Sequence, residues 1–153
     1  MTAAKATSRA PRILCIGMPV RDLTFQVRGL PARGFKVGAE HFKEIAGGNA
    51  LNSAIAIAKL GGRAAICGPM GDSSETSSRY IFDDMAKLGI ETQDIVHMPG
   101  LVTPISAIMI DPSGERTIIT FRDPELRKVH LPETERLLED CDAILAESRC
   151  PAF

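Results

Sequence analysis

The sequence predicts an α/β fold with a mostly parallel sheet, and three patterns in its 153 residues carry that prediction. Short, continuous apolar runs that end in glycine, at 12–17 and 63–68, are typical of parallel strands buried on both faces. Between them, apolar residues recur at helical spacing over 50–60. A later segment rich in β-branched residues surrounds a Pro and Gly turn, which predicts a separate antiparallel layer.

The order of the predicted elements alternates strands with helices, which favours a parallel sheet covered by helices. The elements are a strand at 12–17, short antiparallel strands between 25 and 45, a helix at 50–60, a strand at 63–68, a helix at 77–88, a hairpin of 103–110 with 115–121, a helix opening at 131–132 and a buried strand at 142–146. A parallel strand normally needs a crossover helix and further strands to cover it. The fold is therefore expected to be truncated, with 1–11 as a disordered tail and 12–153 as one domain portion.

Composition excludes several classes of protein. Eighteen basic and nineteen acidic residues give a net charge of -1 without a basic block, which argues against nucleic acid as a partner. No apolar stretch approaches the roughly 20 residues of a membrane helix, and no secretory signal is present, so a cytoplasmic location is expected.

The histidines are isolated, which predicts no metal site, and the cysteines lack Cys-x-x-Cys spacing. Free thiols are expected at Cys15, Cys67, Cys141 and Cys150.

The densest polar cluster, at 46–53, stands directly before the first helix. Gly47 and Gly48 allow close approach of a ligand to the backbone, Asn49 can cap the helix, and the amide of Asn52 can bind hydroxyl groups. A polyol site fits this pattern, and an ordinary turn with a helix cap fits it as well. The segment contains neither a Walker phosphate loop nor a dinucleotide fingerprint.

Two carboxylates are predicted at one edge of the sheet. Asp22 follows the first strand, and Glu147 follows the last one, where ligands gather in open α/β sheets. Asp22 can accept two sugar hydroxyls or can simply form a turn. The run 71–78 could meet an anion at a helix N-terminus, but a structural turn and cap is the better interpretation.

Taken together, these residues resemble the ribokinase/PfkB family of carbohydrate kinases. The resemblance rests on 46–54 with Gly61 and Gly71 at the expected spacing, on 13–17 leading to Asp22, and on the hairpin 105–119. It covers essentially 12–150. The form of the 46–54 motif is similar to ketohexokinases, and the hairpin to kinases of fructose-like and sulfofructose-like substrates, which favours a ketose.

The resemblance implies a ribokinase-like, three-layer αβα fold with a small antiparallel β lid made from about 23–45 and 103–122. The family's sugar-binding positions correspond here to Asp22, Gly47, Gly48, Asn49 and Asn52, and its glutamate beside the sugar site corresponds to Glu147. The lid closes over the sugar and often mediates dimerisation in such kinases.

The family implies ATP- and Mg²⁺-dependent phosphorylation of a sugar hydroxymethyl group. Its catalytic aspartate, its Gly-Ala-Gly-Asp motif and most of its ATP site belong to a C-terminal half, and that motif does not occur in this sequence. The chain is therefore expected to carry the sugar-binding half without a catalytic residue. The alternatives are a nucleoside or other acceptor, with Arg122 among the deciding residues, an inactive sugar-binding or dimerisation module, and a fragment that does not fold stably.

Overall fold

The computed structural model describes residues 9–132 and 134–148, which form two four-stranded sheets with helices. The elements in chain order are β1 (Arg12–Ile16), β2 (Val20–Gln26), β3 (His41–Gly47), α1 (Asn49–Lys59), β4 (Arg63–Met70), α2 (Thr76–Lys87), β5 (Glu91–His97), β6 (Ile105–Ile110), β7 (Arg116–Phe121), a 3-10 helix (Pro124–Lys128), α3 (Thr134–Leu138) and β8 (Ala143–Ala146). None of the helices in the described ranges is long and apolar enough to cross a bilayer.

The base sheet has the strand order β5-β4-β1-β8, and each neighbouring pair is parallel. Side chains alternate between the two faces of a strand, so Leu14 and Cys15 enter different core clusters. The cluster with Cys15 includes Leu51 of α1 and Ile81 of α2, and the cluster with Leu14 includes Leu137 of α3. Helices therefore cover both faces, and the predicted three-layer arrangement is confirmed.

The lid sheet has the strand order β3-β2-β6-β7. Its outer pairs, β2 with β3 and β6 with β7, are antiparallel, whereas the central pair of β2 with β6 is parallel. The two outer pairs agree with the predicted antiparallel layer, and the parallel central pair makes the lid a mixed sheet. β2 and β6 both enter the lid from the base sheet, after β1 and β5 respectively, and consequently run in the same direction.

Three elements depart from the sequence prediction. β5 was not predicted because its sequence alternates polar with apolar residues and lacks the continuous apolar run of β4. The helix expected to open at 131–132 begins at Thr134. β8 was expected to be buried, yet its four residues are exposed, because within the described ranges it pairs with β1 alone and forms the edge of the sheet.

The described cysteines are free thiols, as predicted. Burial raises the pKa of both Cys15 and Cys67 to about 11, so these thiols stay protonated and behave as small apolar side chains. Cys150 and residues 1–8 of the predicted tail lie outside the described residues. Arg9, at the end of that tail, forms an ion pair with Asp140 at 2.5 Å.

Candidate functional site

The start of α1 is built around Gly48, whose φ is +96°. A Cβ here would lie 2.5 Å from the carbonyl oxygen of Met18, so both the backbone conformation and the close approach require glycine. Gly48 is itself the N-cap of α1, and no side chain of the described residues bonds to this cap. The predicted capping role of Asn49 is therefore wrong, because Asn49 is the first residue of the helix.

Asn49 and Asn52 lie one turn apart at the exposed N-terminus of α1. Residues at i and i+3 share a face of a helix, so the two amides stand side by side. The backbone N–H of Asn52 donates to the Gly48 carbonyl at 2.8 Å and closes the first turn. Both side chains line a cavity and offer it donors and acceptors at once.

Asp22 is the third residue of β2 and does not belong to a turn after β1. A Cβ on Gly47 would overlap the Oδ2 atom of Asp22, so this glycine leaves room for the carboxylate. Burial raises the pKa of Asp22 above its ordinary value of 3.8, and a hydrogen bond with Ser106 and the charge of Arg122 partly offset the rise. The two lid residues thus partly stabilise the charged form of the Asp22 carboxylate.

A cavity of about 440 Å³ separates the N-terminus of α1 from the inner face of the lid sheet. Its lining residues are Val20, Asp22, Gly48, Asn49, Asn52, Ser106, Ile108, Arg116, Ile118, Thr120 and Arg122. The cavity therefore brings together four of the six residues predicted for the site, and Gly47 lies directly behind the Asp22 carboxylate. Its volume is typical of small-molecule sites, and its lining is mostly polar, which suits a ligand with many hydroxyl groups.

Glu147 does not line this cavity. It directly follows β8, and its backbone N–H donates to the carbonyl of Ile16 at 2.8 Å. Its carboxylate lies against Gly17, where an added Cβ would be 2.6 Å from Oε2. That oxygen is buried without a hydrogen-bond partner among the described residues. The two predicted carboxylates therefore do not face one another across the cavity.

The lid contributes polar residues that sequence reasoning missed, namely Ser106, Arg116 and Thr120. Ser106 lies beside Asp22 in the parallel pair and opposite Thr120 in the antiparallel pair, with 3.2 Å between the two hydroxyl oxygens. The missed signal was the period of two along β7, where 116, 118, 120 and 122 share one face. Alternation along the predicted hairpin would have placed these side chains beside Arg122, the one lid residue that the sequence singled out.

The segment before α2 forms a structural turn and cap. Asp72 accepts hydrogen bonds from the backbone and hydroxyl of Ser74 and from the backbone of Gly100, which lower its pKa to about 2. Glu75, and not one of the serines, caps α2 by accepting from the N–H groups of Ser77 and Ser78. These contacts account for the 71–78 motif without a ligand.

Comparison with known proteins places the chain in a family. The family model described as pfkB family carbohydrate kinase matches residues 10–152. "Probable fructokinase-6, chloroplastic" of Arabidopsis thaliana is 28% identical over 78% of this chain, and "Fructokinase-1" of rice (Oryza sativa subsp. japonica) is 31% identical over 56%. The aligned segments span 29% and 26% of those two relatives. The chain thus covers less than a third of the length of each.

Solved structures agree with the sequence comparison. The crystal structure of an inferred ribokinase from Agrobacterium tumefaciens superposes with a TM-score of 0.86 at 32% identity, over 94% of this chain and 46% of that one. A ribokinase from Arabidopsis thaliana complexed with ribose and ATP superposes with a TM-score of 0.70 at 19% identity, over 92% of this chain and 46% of that one, a likeness of fold alone. The αβα base and its small β lid are therefore ribokinase-like. On the match over 10–152, this chain belongs to the PfkB family of carbohydrate kinases.

Proposed function

We propose that this chain supplies the acceptor-sugar site of an ATP-dependent kinase that phosphorylates a sugar hydroxymethyl group, with a ketose as the favoured substrate. The observation that carries the proposal is the cavity in which Asp22 faces the amides of Asn49 and Asn52 beneath the lid. The relatives named as fructokinases support a ketose.

The lining residues suit a polyol. The Asp22 carboxylate has lone pairs for two sugar hydroxyls, and the amides of Asn49 and Asn52 both donate and accept. Gly48 lets the sugar approach the backbone at the start of α1, and Gly47 holds open the space of the Asp22 carboxylate. Ser106 and Thr120 add hydroxyls from the lid, while Ile108 and Ile118 supply apolar walls.

The lid sheet is proposed to close over bound sugar and to pair with a second copy of the chain. Closure would exclude water, which otherwise competes with the sugar for the transferred phosphate. Large apolar side chains on the outer face of the lid, namely Phe42, Ile119 and Phe121, are about half or more exposed, which supports a contact surface. The same observation favours the second candidate function, a sugar-binding or dimerisation module without kinase activity.

The sites for ATP and Mg²⁺ are proposed to lie outside the described residues. Within 9–132 and 134–148, no three His, Cys, Asp or Glu side chains are grouped so that they could hold a metal ion, and the sequence lacks the Gly-Ala-Gly-Asp motif. In the complete enzyme, ATP would supply the phosphoryl group and Mg²⁺ would neutralise its charge. We propose that both, and the catalytic base, belong to a part of the complete enzyme that this chain does not span, and a cytoplasmic location stays part of the proposal.

Titration calorimetry of the purified chain with fructose and with ribose, each with and without ATP and Mg²⁺, tests this function. We expect fructose to bind and ATP to give no heat of binding. Asp22→Asn should bind fructose at least about tenfold more weakly, because an amide replaces a charged acceptor of hydroxyl bonds. Asp83→Asn, an exposed change on α2, is the matched control. Binding unchanged in Asp22→Asn would contradict the assigned site, and nucleotide binding or turnover would contradict the assignment of the ATP site.

A further inference from the structure

The first two turns of α2 contact both places where the chain enters the lid. The ring centre of Tyr80 lies 5.2 Å from the guanidinium carbon of Arg21 in β2. The hydroxyl of Ser78 lies 2.6 Å from that of Thr103, which stands two residues before β6, and both residues are fully buried. The N–H of Arg21 also donates to the carbonyl of Pro104 at 2.8 Å. α2 therefore holds the root of the lid, which consists of Arg21 and Thr103.

Arg21 makes most of the polar contacts at this root. Its Nη2 and Nε atoms donate to Oε2 of Glu44 in β3 at 2.6 and 3.2 Å, and its Nη1 atom donates to the hydroxyl of Ser77 at 3.3 Å. The side chain of Arg21 is 16% exposed, so solvent screens these contacts only weakly. A single arginine thus joins β2, β3 and α2 through charge-assisted bonds.

Tyr80 supplies a further bond from α2 to β3. Its hydroxyl donates to the backbone carbonyl of Glu44 at 2.7 Å. Burial raises the pKa of the Tyr80 phenol above 10.0, so the hydroxyl remains a donor at neutral pH. Glu44 stands three residues before Gly47, beside which the Asp22 carboxylate lies. The bond therefore fixes β3 close to the candidate site.

The root of the lid adjoins two residues that line the cavity. Arg21 and Asp22 are consecutive in β2, and consecutive side chains of a strand point to opposite faces of the sheet. Arg21 consequently faces α2 while Asp22 faces the cavity. Ser106, which lies beside Asp22 in the parallel pair, follows Thr103 by three residues. The contacts of the root with α2 thus constrain where both cavity residues stand over α1.

We propose that Arg21 and Tyr80 are positioning residues for sugar binding, which fix the root of the lid on α2 and so hold Asp22 opposite the amides of Asn49 and Asn52. The inference rests on the proposed function, because it concerns the same cavity. Without these contacts the lid samples other orientations, and only the fraction of chains with Asp22 in place binds sugar with full affinity. The apparent affinity falls in proportion to that fraction.

Calorimetry of the full chain with fructose tests the inference. Arg21→Gln should weaken binding at least about fivefold, because charge-assisted bonds at the root are lost. Tyr80→Phe keeps the ring and loses one neutral hydrogen bond, so it should weaken binding about twofold. Arg21→Lys should recover part of the affinity, because it keeps a charge beside Glu44 but lacks the planar group that reaches Ser77 as well.

Two changes on α2 serve as matched controls. Arg79→Gln is an exposed change next to Tyr80 in the sequence. Ile81→Val removes one methylene group from the fully buried core and lowers the stability of the fold. Both variants should bind fructose as tightly as the unchanged chain does. A loss of affinity in Ile81→Val equal to that in Arg21→Gln would overturn the inference, because lower stability alone would then account for both.

Tyr80 also gives a spectroscopic signal of its own contact, because it is the one tyrosine of a chain that contains no tryptophan. Its side chain is half-buried. Saturation with fructose should reduce the quenching of its fluorescence by acrylamide, since bound sugar shifts the population to the state in which the root of the lid covers the ring. A contribution of Tyr80 to stability alone does not produce this dependence on sugar. Asp22→Asn should require correspondingly more fructose for the same protection.

The remaining outcomes separate this inference from the proposed function. Unchanged fructose affinity in both Arg21→Gln and Tyr80→Phe would overturn the inference and leave the proposed function in place. Equal quenching of Tyr80 with and without bound fructose would do the same. Absence of fructose binding by the unchanged chain, with circular dichroism showing that it is folded, would overturn the proposed function and this inference with it. If Arg21→Gln does not fold, Tyr80→Phe and the fluorescence of the unchanged chain carry the test.

Discussion

The base sheet and the lid sheet bury their apolar side chains to opposite extents, and they differ in how some of their arginines are paired. Seven of the eight residues of β4 are buried in the base, whereas none of the six residues of β7 is buried in the lid. In the base, the guanidinium of Arg12 reaches Glu91 at 2.8 Å; in the lid, the Nε atom of Arg122 has no partner among the described residues. Burial in the base therefore supplies most of the stability of the fold. The lid leaves apolar side chains and one buried N–H group free to contact a ligand or another chain.

The largest difference should appear when the same side chain is truncated in each sheet. Ile66 in β4 is fully buried, and its replacement by alanine leaves a cavity, so Ile66→Ala should lower the free energy of unfolding by about 2–5 kcal/mol. Ile119 in β7 is 66% exposed, and Ile119→Ala should change it by no more than about 0.5 kcal/mol. Denaturant unfolding of both variants measures the two values.

A large cost for Ile119→Ala would break the comparison. It would mean that the outer face of the lid is covered in solution, as the proposed pairing of two lids requires. The stability of the unchanged chain should then depend on its concentration, because association stabilises the folded state by mass action.

A second contrast concerns an arginine in each region. The side chain of Arg12 is 7% exposed, and it donates to Glu91 at 2.8 Å and to the carbonyl of Glu139 at 3.2 Å. Arg12→Gln should therefore cost about 3 kcal/mol, because it removes a buried guanidinium from Glu91, which keeps only the more exposed Arg63, and from the buried carboxylate of Asp94 at 3.9 Å. Arg28, in the loop after β2, is 86% exposed in its ion pair with Glu40, and Arg28→Gln should leave the stability almost unchanged because solvent screens an exposed pair. Thermal unfolding compares the two variants. An equal loss of stability in both would show that the buried arginine of the base contributes no more to folding than the exposed one.

A third contrast separates binding from folding by using two glycines. A methyl group at position 47 would overlap the Asp22 carboxylate, so Gly47→Ala should weaken sugar binding by at least about tenfold while the chain remains folded. Gly38, in the loop between β2 and β3, has open space around its Cα atom, and Gly38→Ala should bind sugar normally. Calorimetry measures the affinities, and normal sugar affinity in Gly47→Ala would show that the position of Asp22 is not critical.

Much of the base was predictable from sequence, because buried parallel strands and amphipathic helices leave strong local patterns. The apolar runs 12–17 and 63–68 correspond to β1 and β4, and the helical spacing at 50–60 corresponds to α1. β5 was missed because its alternating polar residues lack such a run. The exposure of β8 was missed because a local apolar run does not reveal whether another element covers it.

The site was predictable only in part, for a related reason. The 47–52 motif is local, so its resemblance to a known family could point to Gly48, Asn49 and Asn52. Ser106, Arg116 and Thr120 reach the cavity through strand register between distant segments, which no short motif encodes. Glu147 follows β8 at the edge of the base sheet, and its carboxylate lies against Gly17 instead of in the cavity lining, which its position in the sequence does not reveal.

The smallest expected effect concerns the cost of keeping Asp22 charged beneath the lid. Burial raises its pKa in the folded chain above 3.8, so the stability associated with this group is fully present below pH 3.8 and is lost as the pH rises through the folded pKa. Asp22→Asn stays neutral at every pH and should melt at a higher temperature than the unchanged chain at pH 7, with no difference near pH 3. Asp83→Asn, exposed on α2, controls for the loss of one charge. A lower melting temperature for Asp22→Asn at pH 7 would mean that Ser106 and Arg122 outweigh burial, and that the lid, like the base, neutralises its own charges.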